Sequence, residues 1–232
     1  MIRERIGKVR SALTRRSVDP GDPGPAAEVD QRVAASVTQL GLVARVVAPA
    51  LAAQTLGQPL DLRPDGLWWQ DTLGGPLPLS VPTPSTRAPG GPFGPSSPFR
   101  PSGPTDLSSS TGLSGLTRLD GQAIGAQTGA LINEVIAPIT VATAGLAPVS
   151  ARVLWGNVAS AVNGAARQLA RARPDLAPAA WATAAEFFRR PELGTEPGPP
   201  GPDFRRSSCC LIYRLAPARA GAICGDCVLG GR

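Results

Sequence analysis

Histidine is absent from this 232-residue sequence, lysine occurs once, at Lys8, and cysteine is missing everywhere except residues 209–227. Without imidazole there can be no Rieske-type ligation, no haem held by histidine, and no Ser-His or Cys-His catalysis. A glycine-rich phosphate loop is also lacking, so the chain carries no recognisable site for NADPH or a flavin. Behind the basic start, residues 1–16, there is neither an apolar run nor a small-residue cleavage site, which speaks against a secretory signal. The longest uncharged stretch, residues 135–150, is short for a bilayer and contains Pro138 and Pro148, so no transmembrane helix is expected. Cysteines so tightly clustered cannot staple a chain of this length, and they argue instead for a metal centre in a reducing compartment, hence a cytoplasmic protein.

What is present is arginine, apolar residues, glycine and proline. Lys and Arg number 23 against 17 Asp and Glu, a formal charge of +6 that suggests anionic partners. The arginines are scattered, and no helix-turn-helix spacing, RNP-type strand or basic groove interleaved with aromatics accompanies them, so nucleic acid is not expected as a partner. A GC-rich coding composition produces the same Arg-rich, Lys-poor balance. Apolar residues make up 42% of the chain, enough for one good core. The 27 Gly and 26 Pro gather in a few stretches that read as long loops or tails.

Periodicity divides the chain. Ile2, Ile6, Val9 and Leu13 recur at helical spacing among basic residues, a short amphipathic helix suited either to packing on the domain or to peripheral contact with a membrane surface. Val29, Val33, Val37, Leu40, Val43, Val47 and Leu51 mark a buried helical face from residue 26 to about 56, which Pro49 should end or kink. Leu60, Leu62, Leu67, Trp68, Trp69, Leu77, Leu79 and Val81 alternate between Gly and Pro and suggest short strands. Residues 82–112 are too rich in Pro, Gly and Ser to repay ordering and are expected to form a disordered loop. Three further helices are expected: one around Leu131, Ile132, Val135, Ile136 and Ile139, interrupted near Pro138; one over 149–172; and one over 178–190 carrying Trp181, Ala184, Ala185 and Phe188. The fold class is mainly α, a single helical domain with a few short strands and an irregular C-terminal segment. Its expected parts are a basic helix and Pro/Gly linker at 1–25, a helical domain at 26–190, and the cysteine segment at 191–232.

Cys209 and Cys210 are adjacent, and after a gap of thirteen residues Cys224 and Cys227 form a Cys-x-x-Cys. Four soft sulfur ligands suit an all-cysteine zinc site or an iron-sulfur cluster. A thioredoxin-like dithiol would need a strand-helix-strand setting that is not there. Neighbouring side chains diverge on an extended backbone, so an adjacent pair fits a larger two-iron cluster better than one small zinc ion. Gly225 would let backbone N–H groups approach sulfur, or simply make a turn. Arg205, Arg206, Arg214 and Arg219 lie near the cysteines and suit either a cluster that gains negative charge on reduction or a solvated basic surface. Asp226 reads as a turn residue and Tyr213 as packed. Trp68 and Trp69 read as structural, as does Trp155, while Asn157 suits a cap or a partner for buried backbone.

The CC...CGDC ending and the surrounding FRRSSCCLIYRL resemble the C-terminal 2Fe-2S signature of FhuF-type ferric-siderophore reductases. VLWGNVASAV, residues 153–162, resembles a second segment of that family, and residues 34–51 with LWW at 67–69 match more loosely, so the likeness touches about 30–80 and 130–230. A departure is the longer spacing between the pair and the Cys-x-x-Cys, an insertion at 217–221. The resemblance implies a 2Fe-2S cluster on Cys209, Cys210, Cys224 and Cys227, within the 191–232 cluster-binding segment. It also implies one-electron reduction of ferric iron in a siderophore substrate, with electrons from an unidentified donor protein or reductant. Two other readings remain open on the residues alone: an iron-sulfur electron-transfer protein without siderophore reductase activity, and a four-cysteine zinc module.

Overall fold

The computed structural model describes residues 1–16, 28–58, 60–73, 78–81, 121–194, 196, 198–215 and 223–230. The expected loop at 82–112, the linker at 17–25 and the insertion at 217–221 lie outside the described residues.

Among the described residues six α-helices carry the fold: α1 (Ile2–Arg16), α2 (Gln31–Thr55), α3 (Gly121–Leu131), α4 (Ala137–Leu146), α5 (Ala151–Ala172) and α6 (Ala177–Phe188). The only sheet among the described residues is a two-stranded antiparallel ribbon, β1 (Trp68–Trp69) on β2 (Leu79–Ser80), with Trp69 opposite Leu79. The mainly helical class is therefore correct.

Local chemistry sets the helix ends. Asp30 caps α2, its carboxylate accepting from Arg32 N at 2.9 Å, and Ser150 caps α5 through Val153 N at 3.4 Å. Pro174 follows the end of α5 and Pro191 follows α6, each opening a short 3-10 turn because proline cannot donate into the preceding helix. A π-helical turn at Ile132–Ile136 joins α3 to α4, and Pro138 sits in the first turn of α4, where a missing N–H costs least. The interruption expected near Pro138 is this π turn just ahead of it, and the helix continues through it from Gly121 to Leu146.

Pro49 behaves differently from expectation: α2 runs through it to Thr55. Beyond it, Ala50, Leu51 and Gln54 are buried, and packing of that last turn outweighs the lost hydrogen bond.

The core lies where α2, α5 and α6 meet. Val43, Val47, Leu51, Ile132, Ile136, Val158, Val162 and Phe187 are all fully buried there, each worth about 1.5–3 kcal/mol on removal from water. The buried stripe on α2 is shifted from the apolar pattern, because Val37 and Leu40 are only half-buried while Ser36, Gln39 and Val46 are buried. On α6 it is Phe187 that is buried, whereas Phe188 is half-buried and stacks edge-on against Phe204 at 5.3 Å. Trp155 packs on the core, Trp69 is half-buried, and Trp68 is 72% exposed, so the structural role expected for Trp68 is not borne out.

Helix α1 packs on the domain. Ile6 joins a second cluster with Ala34, Ala35 and Leu154, and Asp71 accepts from both Arg5 and Lys8 at 2.5 Å. By length and composition alone, Gln31–Thr55 and Gly121–Leu146 are apolar enough to cross a membrane, a test that core helices of soluble proteins also pass. An unbroken-run criterion passes over them because Arg32, Arg45 and Glu134 interrupt the apolar sequence.

Candidate metal centre

The cysteine segment is seated on the first half of α5 and the start of α2. Phe204 is buried against α6, and from there the chain runs along α5. Ser208 Oγ donates to Arg152 O at 3.0 Å, Arg152 Nη2 to Ser207 O at 3.3 Å, and Arg206 Nη2 to Val153 O at 3.3 Å and Asn157 Oδ1 at 2.7 Å. This close seating needs Gly156: a Cβ there would overlap Ser208 Oγ and stand 3.1 Å from Arg206 Nη2. From the α2 side, Ser36 Oγ donates to Cys210 O at 2.8 Å. Arg206 N donates to Asp226 O at 3.0 Å, which holds the two cysteine-bearing stretches together, and Arg214 reaches Asp30 at the α2 cap at 3.2 Å.

All four thiols are free and gathered in two facing pairs. Cys210 Sγ lies 3.5 Å from Cys224 Sγ, and Cys209 faces Cys227. Cys210 and Cys227 are buried, while Cys209 and Cys224 are half-buried, so each pair has one sulfur near the surface. Among the described residues no three potential ligands surround a single point where one ion would sit. Four cysteines drawn together in this way are consistent with a two-iron centre.

Backbone groups complete the sulfur environment. Leu211 N donates to Cys209 Sγ at 3.3 Å and Leu229 N to Cys227 Sγ at 3.4 Å, each two residues past its cysteine. Leu211 has φ 70°, a left-handed conformation uncommon for leucine, and that twist aims its N–H back at sulfur. Gly225 is not one of these donors: it stands in the turn closed by Cys227 N on Cys224 O, and its carbonyl accepts from Arg205 at 3.1 Å. The simple turn reading is the correct one for it.

The thiols differ in acidity. Cys224 donates its S–H to Cys210, which holds Cys210 down at about 6, and the Arg206 charge acts in the same direction. Cys224 is raised correspondingly because it keeps the shared proton, and burial pushes Cys209 up to about 11. Metal loading must therefore displace protons from this set.

Residues 206–229 match the family model of the FhuF 2Fe-2S C-terminal domain. That stretch, which carries all four cysteines, is similar to the FhuF-type 2Fe-2S domain. No curated protein and no solved structure matches the chain. The donor set fits the cluster that defines the domain: four free thiols in two pairs, with N–H groups directed at sulfur.

Around this FhuF-type segment, several sequence expectations are refined. Arg206 is 1% exposed, which overturns the solvated-surface reading for that residue, whereas Arg205 and Arg214 are exposed and Arg219 lies outside the described residues. Asp226 stands in the turn as expected but is buried. Tyr213 is half-buried, with Arg214 6.0 Å from its ring centre. Asn157 is no cap; inside α5, its Nδ2 donates to Ser36 O and Oγ at 3.1 Å and to Gln39 Oε1 at 3.0 Å. Ser36 and Gln39 were not anticipated as part of the site. Their signal was available, since two polar residues three apart on the Val33–Val43–Val47 face must find partners when buried.

Proposed function

We propose that the protein is a ferric-siderophore reductase whose 2Fe-2S centre is held by Cys209, Cys210, Cys224 and Cys227. The observation that carries this reading is the two-by-two set of free thiols within a segment matching the FhuF 2Fe-2S domain. A 2Fe-2S centre supplies electrons one at a time, at a potential set largely by its surroundings. Leu211 N and Leu229 N donate to two of the sulfurs, which favours the reduced, more negative state. Cys209 and Cys224 lie at the surface edge, so a ferric chelate need only dock there, beside exposed Ile223 and Val228.

One electron suffices to release the metal. Hard hydroxamate or catecholate oxygens hold ferric iron tightly, while the larger, less charged ferrous ion binds them weakly and exchanges fast. The reductant is an external donor, in keeping with the lack of a nucleotide loop, and the proposed setting is the cytoplasm. Ile6 and Arg5 of α1 are engaged with the domain, which leaves its outer basic residues for any contact with a membrane surface.

The test is the spectrum and iron content of anaerobically purified full-length protein, before and after dithionite. About two irons and two sulfides per chain, with bands that bleach on reduction and return with a ferric siderophore, support the reductase. Reoxidation by unrelated acceptors but not by ferric siderophores would leave an electron-transfer protein instead. A colourless protein with one zinc would refute both.

A further inference from the structure

Among the described residues Arg206 is the largest fully buried side chain, at 1% exposure. Nη2 alone is engaged, with Asn157 Oδ1 and Val153 O, while Nε and Nη1 are buried with no hydrogen-bond partner. Neither neighbouring acid pairs directly with the guanidinium. The Glu196 carboxylate is taken up by Ser207 N at 2.7 Å and Ser207 Oγ at 3.0 Å, and Asp226 offers Arg206 its backbone oxygen. Among the described residues no carboxylate makes an ion pair with Arg206. A guanidinium cannot shed its proton to escape burial, and a buried charge with no direct ion pair and two unpartnered N–H groups is costly to hold. An anionic centre close by would offset that cost.

We propose that Arg206 is the buried counter-cation of the 2Fe-2S centre and that Asn157 positions it to set the reduction potential. This rests on the cluster reading above. Four thiolates, two ferric ions and two sulfides carry a net charge of about −2, which becomes about −3 when one electron enters. A fixed positive charge therefore favours the reduced form, and in a buried setting solvent screens it little. The arginine is tied to the ligand loop through Arg206 N on Asp226 O, next to Cys227. Asn157 has its orientation fixed by the two hydrogens of Nδ2, one shared between Ser36 O and Oγ and one given to Gln39 Oε1, which leaves Oδ1 facing the guanidinium. Ser36 Oγ in turn donates to Cys210 O, so the chain of bonds runs from α2 through Asn157 and Arg206 back to the ligand loop. Asn157, Ser36 and Gln39 all lie outside the matched 206–229 segment.

The experiment is a dye-mediated redox titration of the full chain, anaerobically loaded, with the reduced state checked by electron paramagnetic resonance. The variants are Arg206→Lys, Arg206→Gln and Asn157→Asp, with iron and sulfide counted in each. Lys keeps the charge and loses the fork; Gln removes the charge; Asp at 157 keeps an acceptor but adds a carboxylate that cancels the charge. Gln and Asp should each lower the equilibrium constant for reduction at least tenfold, about 59 mV more negative for one electron. Lys should stay within threefold of the parent. If Gln and Asp fail to hold a cluster while Lys holds one, the charge alone separates them and the proposal stands. Equal potentials in all loaded variants, a Lys shift as large as that of Gln, or loss of the cluster in all three would overturn it. A parent protein without iron and sulfide would instead sink the cluster reading itself.

Discussion

Gly156→Ala, set against Gly164→Ala on the same helix, measures how tightly the cysteine segment must lie on α5. Both changes replace glycine inside a helix, and each should gain about 0.8–1 kcal/mol from backbone propensity. At Gly164 a Cβ meets nothing within 4 Å, so that gain is realised. At Gly156 the Cβ overlaps Ser208 Oγ and crowds Arg206 Nη2 at 3.1 Å and Glu196 Oε1 at 3.4 Å. Ser208 must give up its bond to Arg152 O, worth about 0.5–1.5 kcal/mol, and the fully buried Arg206 has little room to yield. Overpacking adds about 1–3 kcal/mol, so the net is destabilisation by about 1–3 kcal/mol and a gap of about 2–4 kcal/mol between the two variants. Urea melts of the full chain with parallel iron assays measure both stability and cluster content. Ser208→Ala on top of Gly156→Ala should recover part of the loss, since it removes the atom that clashes worst. Equal stability for the two single variants would refute the close-seating argument.

Two further expectations concern the ligand loop and the N-terminal helix. At Leu211, φ 70° is tolerated by glycine and poorly by a β-branched residue; Leu211→Gly should keep its iron, while Leu211→Val should lose about 1–2 kcal/mol and part of its cluster, and equal iron content in the two would contradict the strained turn. Asp71 is held below the usual carboxylate range by the hydrogen bond from Lys8 and then that from Arg5. Its contribution is therefore complete above the unfolded value of about 3.9 and is lost as pH falls through the lower folded value. Amide exchange in α1 should accelerate on acidification below about pH 4, and Asp71→Asn should remove that acid step; an unchanged acid profile in Asp71→Asn would show that α1 is held by Ile6 and its apolar neighbours alone.

Much of the helical layout was legible because helix is a local event. The 3.6-residue recurrence from Val29 to Leu51, Ser150 ahead of α5, and Pro174 and Pro191 beyond their helices depend on residues only a few positions apart. Local rules failed where long-range packing outweighed them, as at Pro49, where buried Ala50, Leu51 and Gln54 carry the helix onward. The four candidate ligands were equally legible, because every cysteine in the chain lies in one short stretch. What tertiary structure alone decided is their environment. Arg205 and Arg206 are indistinguishable as neighbours in sequence, yet one is exposed and the other is sealed between α5 and the ligand loop. Ser36 and Gln39 on α2 stand more than a hundred residues from Asn157 on α5, and burial, which forces each polar group to find a partner, joins them in one network that reaches the Arg206 guanidinium through Asn157 and the Cys210 carbonyl through Ser36.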